Sequence, residues 1–305
     1  MAQVTILLST YNGSAYLEPL LNSLVSQSFP DIQIRVRDDG STDNTREILG
    51  KFASDKKNVR CSAGPNLGVF NSFMTLLREA DGSADYFAFC DQDDIWLTEK
   101  MSTAVEKINS LGAAGDAPCM YCSRVILTNS HGGVLSESRM PRHINFPSAL
   151  VENIAHGCTV VMNRAARSIL VSKIPDSVKL FHDWWCYLVV SVFGRVIFDP
   201  NPHVLYRRHR GTVSYGVSPG LGRLKGRLLR LKNGSFDLIS TQAEQLLNCF
   251  GDQMPPHSRR LTEHLVAIKS MPFCKRLLHA LINPCRRQRL SDDVLLRAMF
   301  LLGRY

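Results

Sequence analysis

Asp91, Asp93 and Asp94 fall within four consecutive positions, directly behind the apolar run Tyr86-Phe87-Ala88-Phe89-Cys90. Carboxylates packed this closely repel one another, so they are tolerated when solvated or when they hold a cation. An all-oxygen set suits Mg²⁺ or Mn²⁺, which keep several waters and bridge to phosphate. The competing reading is a solvated turn in which Asp94 caps a helix that starts at Ile95 and Trp96. Other groups carry comparable chemistry. Asp38-Asp39-Gly40-Ser41 offers carboxylates able to accept from a base N–H or a ribose hydroxyl, or to cap a helix. Thr10-Tyr11-Asn12 offers hydroxyls, an aromatic edge and backbone amides, and Asn66-Leu67-Gly68 is a polar turn. Asp183, between His182 and Trp184-Trp185, sets a possible general base beside aromatics of the kind sugars pack on, or simply caps a buried helix. Tyr206-Arg207-Arg208-His209-Arg210 can clamp a diphosphate, complete a metal site through a neutral His209, or form a solvated basic strand end. None of these loops follows the G-x-G-x-x-G or P-loop pattern.

These residues need a scaffold, and the hydrophobic pattern supplies one. Val4–Ser9 is a β-branched apolar run that ends at Thr10, and Ala15–Ser26 has leucines at helical spacing. Ile32–Val36 alternates as a second strand, followed by a helix over 42–52; residues 58–62 and 69–80 repeat the pair, and the fourth strand ends at the acid cluster. Strand and helix alternating in this way predict an α/β fold with a parallel, doubly wound sheet. Ligands bind such sheets outside the carboxyl ends of the strands, so Thr10–Gly13, Asp38–Asp43 and Asp91–Asp94 should converge on one crevice. Further on, the pattern predicts helices over 100–111, 148–154 and 164–172, strands over 120–127, 158–162 and 203–207, and a long loop over 130–147. Trp184–Phe198 reads as a buried helix running into a strand.

The nine cysteines are scattered and odd in number, and Val4–Leu8 is too short for a signal-peptide core. Both point to free thiols in a reducing, cytoplasmic setting. The lone Cys119-x-x-Cys122 reads as structural, not as a zinc or redox motif. Charge is uneven: residues 1–215 carry 21 basic and 21 acidic residues, whereas 216–305 carry 15 and 6. This predicts a neutral body (1–215) and a basic, helical C-terminal region (216–305). Five leucines and five cations interleave in LGRLKGRLLRLKN from Leu221 onward. That stretch is either a packed helix with a solvated basic face or an interfacial helix on an anionic membrane surface, peripheral at the inner face of the cytoplasmic membrane. Nucleic acid is not expected as a partner, because exposed aromatics do not interleave with the cations.

STYNG at 9–13, RDDGSTDNT at 37–45, NLGVFNSF at 66–73 and FCDQDDIW at 89–96 resemble, in order and spacing, the motifs of family 2 glycosyltransferases. HDWW at 182–185 and YRRH at 206–209 look like that family's acceptor-side and closing motifs, and the set is most similar to bacterial rhamnosyltransferases and related O-antigen or capsule enzymes. The resemblance implies a GT-A nucleotide-diphospho-sugar transferase sandwich, with a mostly parallel central sheet. It implies an inverting, metal-dependent transfer of one sugar, rhamnose in the nearest subgroup, to a glycan or polyprenyl-linked acceptor in surface-polysaccharide assembly. The donor would be dTDP- or UDP-linked and the cofactor Mg²⁺ or Mn²⁺. Residue by residue, it implies nucleotide contacts from Thr10, Tyr11, Asn12, Asp39, Asn66 and Asp91, and metal ligation by Asp93, Asp91 and His209. Asp94, Arg207 and Arg208 would face the donor sugar and diphosphate, and Asp183 would be the catalytic base. Asn71 stands where the family often has a basic phosphate contact. His-Asp at 182–183 replaces the more usual Glu-Asp, and the QxxRW motif of processive synthases is missing. The alternatives are a sugar-1-phosphate nucleotidyltransferase, which would need a Gly-, Arg- and Lys-rich first loop, and a non-catalytic nucleotide-sugar-binding or membrane scaffold protein.

Overall fold

β1 (Val4–Thr10) is buried on both faces and pairs in parallel with β2 (Ile32–Asp38) on one side and β4 (Tyr86–Asp91) on the other. The computed structural model describes residues 2–112, 117–175, 180–209 and 237–303. Register fixes the functional edge: Thr10 lies opposite Asp38, and Ser9 opposite Asp91, so three strands end level with one another. β3 (Val59–Ala63) extends this side in parallel. On the other side β9 (Val161–Asn163) runs antiparallel to both β4 and β6 (Cys119–Ser123), and β10 (Arg195–Asp199) pairs in parallel with β6. The order is β10-β6-β9-β4-β1-β2-β3, a mostly parallel sheet with one reversed strand. α1 (Ser14–Val25), α2 (Thr45–Ala53) and α3 (Gly68–Glu79) make the crossovers, and α4 (Lys100–Ser110), α6 (Arg164–Ser172) and α7 (His182–Phe193) complete the set around the sheet. Leucines 17, 20, 21 and 24 of α1 are buried with Ile6, Leu8, Ile34 and Val36 in one core. Cys119 and Cys122 are buried free thiols within β6.

A second, small sheet has the order β5-β11-β7-β8. It accounts for most departures from the expected elements. The predicted strand over 120–127 is two strands, β6 and β7 (Ile126–Thr128), which enter different sheets. The loop expected over 130–147 contains β8 (Val134–Glu137), which is exposed along its whole length and so carries no alternating signal. Asn129 shapes the preceding turn by accepting the His131 and Gly133 amides. The helix considered at Ile95 is instead β5 (Ile95–Trp96), paired with β11 (Val204–Arg207). The helix expected over 148–154 is a single turn, α5 (Phe146–Ala149), capped by Asn145. The strand expected over 158–162 starts with a 3₁₀ turn, Gly157–Thr159, and becomes β9 only at Val161.

The chain divides into two compact units, Met1–Met140 with Ala155–Ile174 and Phe181–Thr212, and Pro141–Ile154 with Pro175–Leu180 and Val213–Tyr305. In the second unit α8 (Asp237–Phe250) packs with α9 (Pro256–Ala267), and α10 (Phe273–Ile282) with α11 (Leu290–Leu302). Its α5 segment is tied in by Glu152, which accepts from Arg287 and from the Gln288 amide, while Gln288 binds the backbone of residues 142 and 143. The leucine-rich stretch from Leu221 lies outside the described residues, as does Arg210. Among the described residues no helix is long and apolar enough to cross a membrane.

Candidate active site

The three strand-end loops are bonded to one another. Asn12, in the left-handed region at φ 48°, donates its amide to Ser41 Oγ and accepts the Thr42 amide on Oδ1. The Gly13 and Ser14 amides are taken by Thr45 Oγ1 and Asp43. Gln92, between the first two acids of the cluster, clasps Tyr11 in both directions: Oε1 accepts the Tyr11 N–H at 2.8 Å, and Nε2 donates to the Tyr11 carbonyl at 2.9 Å. Gly13 permits the clasp, because a Cβ there would lie 2.1 Å from Gln92 Oε1. Tyr11 itself stays about half exposed, with its ring available to a ligand.

The two carboxylates after β2 are buried and occupied differently. Asp38 accepts from Thr10, Ser41 and Arg46. Burial acts to raise its pKa, but these bonds outweigh burial and hold the group below the usual carboxylate range. Asp39 pairs with the buried Arg37 and accepts the Leu67 and Gly68 amides at 2.9 Å each. It thus supplies the negative charge that the N-terminus of α3 favours. Asn66 also accepts from the Gly68 amide, and its backbone packs against Gly40, which has φ 90°. Asn71 is half-buried and bonds back to the Leu67 carbonyl in its own helix.

The acid cluster itself separates into two parts. Asp93 reaches His209, Oδ2 to Nε2 at 2.7 Å. The His209 ring lies 4.5 Å from that of Tyr16 on α1, and the Arg207 guanidinium sits over the same Tyr16 ring at 5.0 Å. Asp91 and Asp94 instead gather with Cys158, each able to bring one ligand atom within 4.8 Å of the other two. Asp94 accepts the Arg207 backbone N–H on Oδ1 at 3.0 Å, which holds the YRRH strand end over the cluster. Its Oδ2 is buried without an N–H or O–H donor, and the Cys158 thiol lies beside it. Burial, then Asp94, Asp93 and Asp183, push the Asp91 pKa well up; burial and Asp93 push Asp94 to about 8. Mutually raised carboxylates with an orphaned oxygen fit a divalent cation, which would return both to the charged form. Burial also raises the Cys158 thiol, so it stays protonated beside Asp94, while its backbone bonds to Asp91.

Asp183 opens α7, half-buried, and one of its oxygens accepts the Trp184 amide. Its charge is felt by Asp91, which ties the end of α7 to the end of β4. His182 beside it is buried, stacked on Phe73 at 4.0 Å and edge-on to Phe89 at 5.0 Å, with both ring nitrogens unpartnered. Burial lowers its pKa to about 3, so it is a neutral imidazole. Gly157 separates it from the acids: a Cβ there would lie 2.7 Å from His182 Nε2 and 3.3 Å from Asp91 Oδ2.

Arg208 donates its amide to the Thr128 carbonyl. Lys100 is fully buried with its ammonium 3.0 Å from the centre of the Trp96 ring. Burial lowers its pKa to about 7, against the opposing pull of Cys90, Cys158, Asp94 and Asp91. It is the counter-charge behind the cluster.

A match to the model of glycosyl transferase family 2 extends over residues 5–169, more than half of the chain and through the loops that follow β1, β2 and β4. The chain belongs to glycosyl transferase family 2. The glycosyltransferase is 28% identical to the dTDP-rhamnosyl transferase RfbG of Shigella flexneri over 66% of this chain and 71% of that protein. It is 26% identical to the UDP-Glc:alpha-D-GlcNAc-diphosphoundecaprenol beta-1,3-glucosyltransferase WfgD of Escherichia coli, over 62% and 69%. Among solved structures, S. aureus TarS 1-349 in complex with UDP superposes with a TM-score of 0.59 at 16% identity, over 99% of this chain and 88% of that one. The mannosyltransferase PcManGT of Pyrobaculum calidifontis, in complex with GDP-Man and Mn²⁺, gives 0.54 at 15%, over 99% and 81%. These likenesses show a GT-A fold. The sequence resemblance singled out Asp91, Asp93, Asp94, Asp183 and His209 as site residues; it assigned no role to Gln92, Lys100, Gly157, Cys158 or Tyr16.

Proposed function

We propose that this glycosyltransferase moves one sugar, rhamnose from a dTDP-linked donor, to a glycan on a lipid-linked diphosphate acceptor during surface-polysaccharide assembly, with inversion at the anomeric carbon. The reaction assignment is supported above all by the place of α7: a Cβ at Gly157 would lie 2.7 Å from His182 Nε2 and 3.3 Å from Asp91 Oδ2, so the residue before Asp183 borders the acids at the end of β4. The choice of donor is supported by the likeness to RfbG, and that of acceptor by the likeness to WfgD.

In this reading Asp183 takes the proton of the acceptor hydroxyl as its oxygen attacks from the face opposite the leaving group. Tyr11 offers its exposed ring to the base, with Thr10, Asn12, Asn66 and Asp91 around the nucleoside. Asp39 contributes by fixing the turn that carries Asn66, since its oxygens already serve Arg37 and two amides. Arg207 and Arg208 offer guanidinium groups to the diphosphate, and Asp94 acts on the donor through the Arg207 backbone. Asp91, Asp93 and His209 would hold Mg²⁺ or Mn²⁺, which when bound neutralises charge developing on the nucleoside diphosphate leaving group.

Asp183→Asn should retain nucleotide-sugar affinity in calorimetry while transfer falls by about 10³-fold or more. Transfer within tenfold of the unsubstituted enzyme would remove Asp183 from this role. A thermal-shift panel of nucleotide sugars with Mn²⁺ identifies the donor, and the anomeric coupling in the product's NMR spectrum reports inversion.

A further inference from the structure

α10 is built inside out. Its sequence, FCKRLLHALI, has only Ala280 fully buried, while Phe273, Leu277, Leu278, Leu281 and Ile282 are 41% to 68% exposed. At about 100° per residue these five side chains cover one continuous half of the helix circumference. The opposite half, with Arg276, His279 and Ala280, is the less exposed one. A globular helix ordinarily turns its large apolar residues inward, and a patch of this kind marks a surface that something covers. α11, which packs against α10, adds the exposed Leu290 and Val294.

Charge says what covers it. From His264 to Ser291 the chain carries Lys269, Lys275, Arg276, Arg286, Arg287 and Arg289 and no acidic residue; Asp292 and Asp293 follow, and Arg286 and Arg287 are paired with Asp293 and Glu152. Lys275 is exposed and borders the apolar half of the wheel beside Ile282; neither it nor Arg289 makes an ion pair among the described residues. A second copy of the chain on this face would set like charges against each other. An apolar arc flanked by cations matches instead a layer of acyl chains under anionic headgroups. α10, ten residues long and so about 15 Å, is far too short to cross a bilayer and suited to lying in its surface.

We infer that the outward face of α10, Phe273, Leu277, Leu278, Leu281 and Ile282 with Lys275 at its border, docks the enzyme on an anionic lipid surface. This holds independently of the donor and acceptor, because vesicle binding is read without either. The full-length protein should co-sediment with phosphatidylcholine vesicles containing about a third phosphatidylglycerol, weakly with phosphatidylcholine alone, and less as salt rises. The Leu281→Glu/Ile282→Glu variant should lose roughly tenfold or more of that binding, and Lys275→Glu a smaller part, while donor affinity by calorimetry stays unchanged and reports an intact fold. The inference is overturned if the unsubstituted protein ignores the anionic vesicles. It is equally overturned if the double variant binds them as well as the parent does. It also fails if sedimentation velocity shows a dimer that the double variant dissolves while vesicle binding persists.

Discussion

Gly157→Ala tests the architecture of the site at its tightest point. The added Cβ would lie 2.7 Å from His182 Nε2, where 3.4 Å is ordinary contact, so something must yield by about 0.7 Å. His182 resists: it is 5% exposed, with Phe73 on its face and Phe89 at its edge. The alternative is for the 157–159 turn to shift, and that carries Cys158 away from Asp94 and Asp91, which it serves through its thiol and its backbone respectively. Overpacking of this kind destabilises by about 1–3 kcal/mol, measurable by urea unfolding. The effect on transfer should be larger, on the order of 10²-fold, because sub-ångström displacement of reacting groups is that damaging. His182→Ala opens the space the new methyl needs, so the double variant should recover most of what Gly157→Ala loses relative to His182→Ala alone. The assay is donor turnover with Mn²⁺ alongside equilibrium unfolding. Equal losses from Gly157→Ala in the presence and absence of the His182 ring would refute the reasoning, as would an unimpaired single variant.

Two other substitutions probe the same edge of the sheet. Asp39→Ala strips a buried partner from Arg37 and two acceptors from the start of α3, and should lower unfolding free energy by about 3–5 kcal/mol, against a small effect if Asp39 only faced a ligand. Lys100→Met bears on pH. The folded pKa of Lys100 is lowered from 10.5 to about 7, so the unfolded chain holds that proton more tightly. The resulting destabilisation is fully present below about pH 7 and fades as pH rises towards 10.5. The methionine variant lacks it, so its melting temperature relative to the parent should be highest at neutral pH and fall steadily towards pH 10. A constant difference across that range would show that Lys100 is not titrating there.

The sheet was legible because β1 and β4 are apolar runs and β2 alternates, each ending at a polar loop, and α1 after β1 has leucines at helical spacing. Strand-helix alternation alone puts Thr10, Asp38 and Asp91 at one edge. What stayed hidden was tertiary. β5 has two residues and β8 is exposed throughout, so neither carries a periodic pattern. Lys100 looks like an ordinary first residue of an amphipathic helix, and only the fold turns it under Trp96. Cys158 sits in a run that reads as core, and Gln92 looks like a spacer between acids. Arg37 did leave a trace, as a cation directly before two acids at the end of an alternating strand.

The reversed direction of β9 decides where this chain can change length. Its hydrogen bonding is pinned by Phe87 opposite Met162 and by the Phe89 amide on the Val160 carbonyl. A length change upstream of Ala155 leaves that anchor paired but falls where Asn145 caps α5 and Glu152 holds Arg287 and Gln288. One residue inserted between Cys158 and Val161 would instead slip the strand and turn its side chains to opposite faces. The 3₁₀ turn and the strand it leads into therefore have a fixed length, and that length sets Gly157 and Cys158 beside the acids.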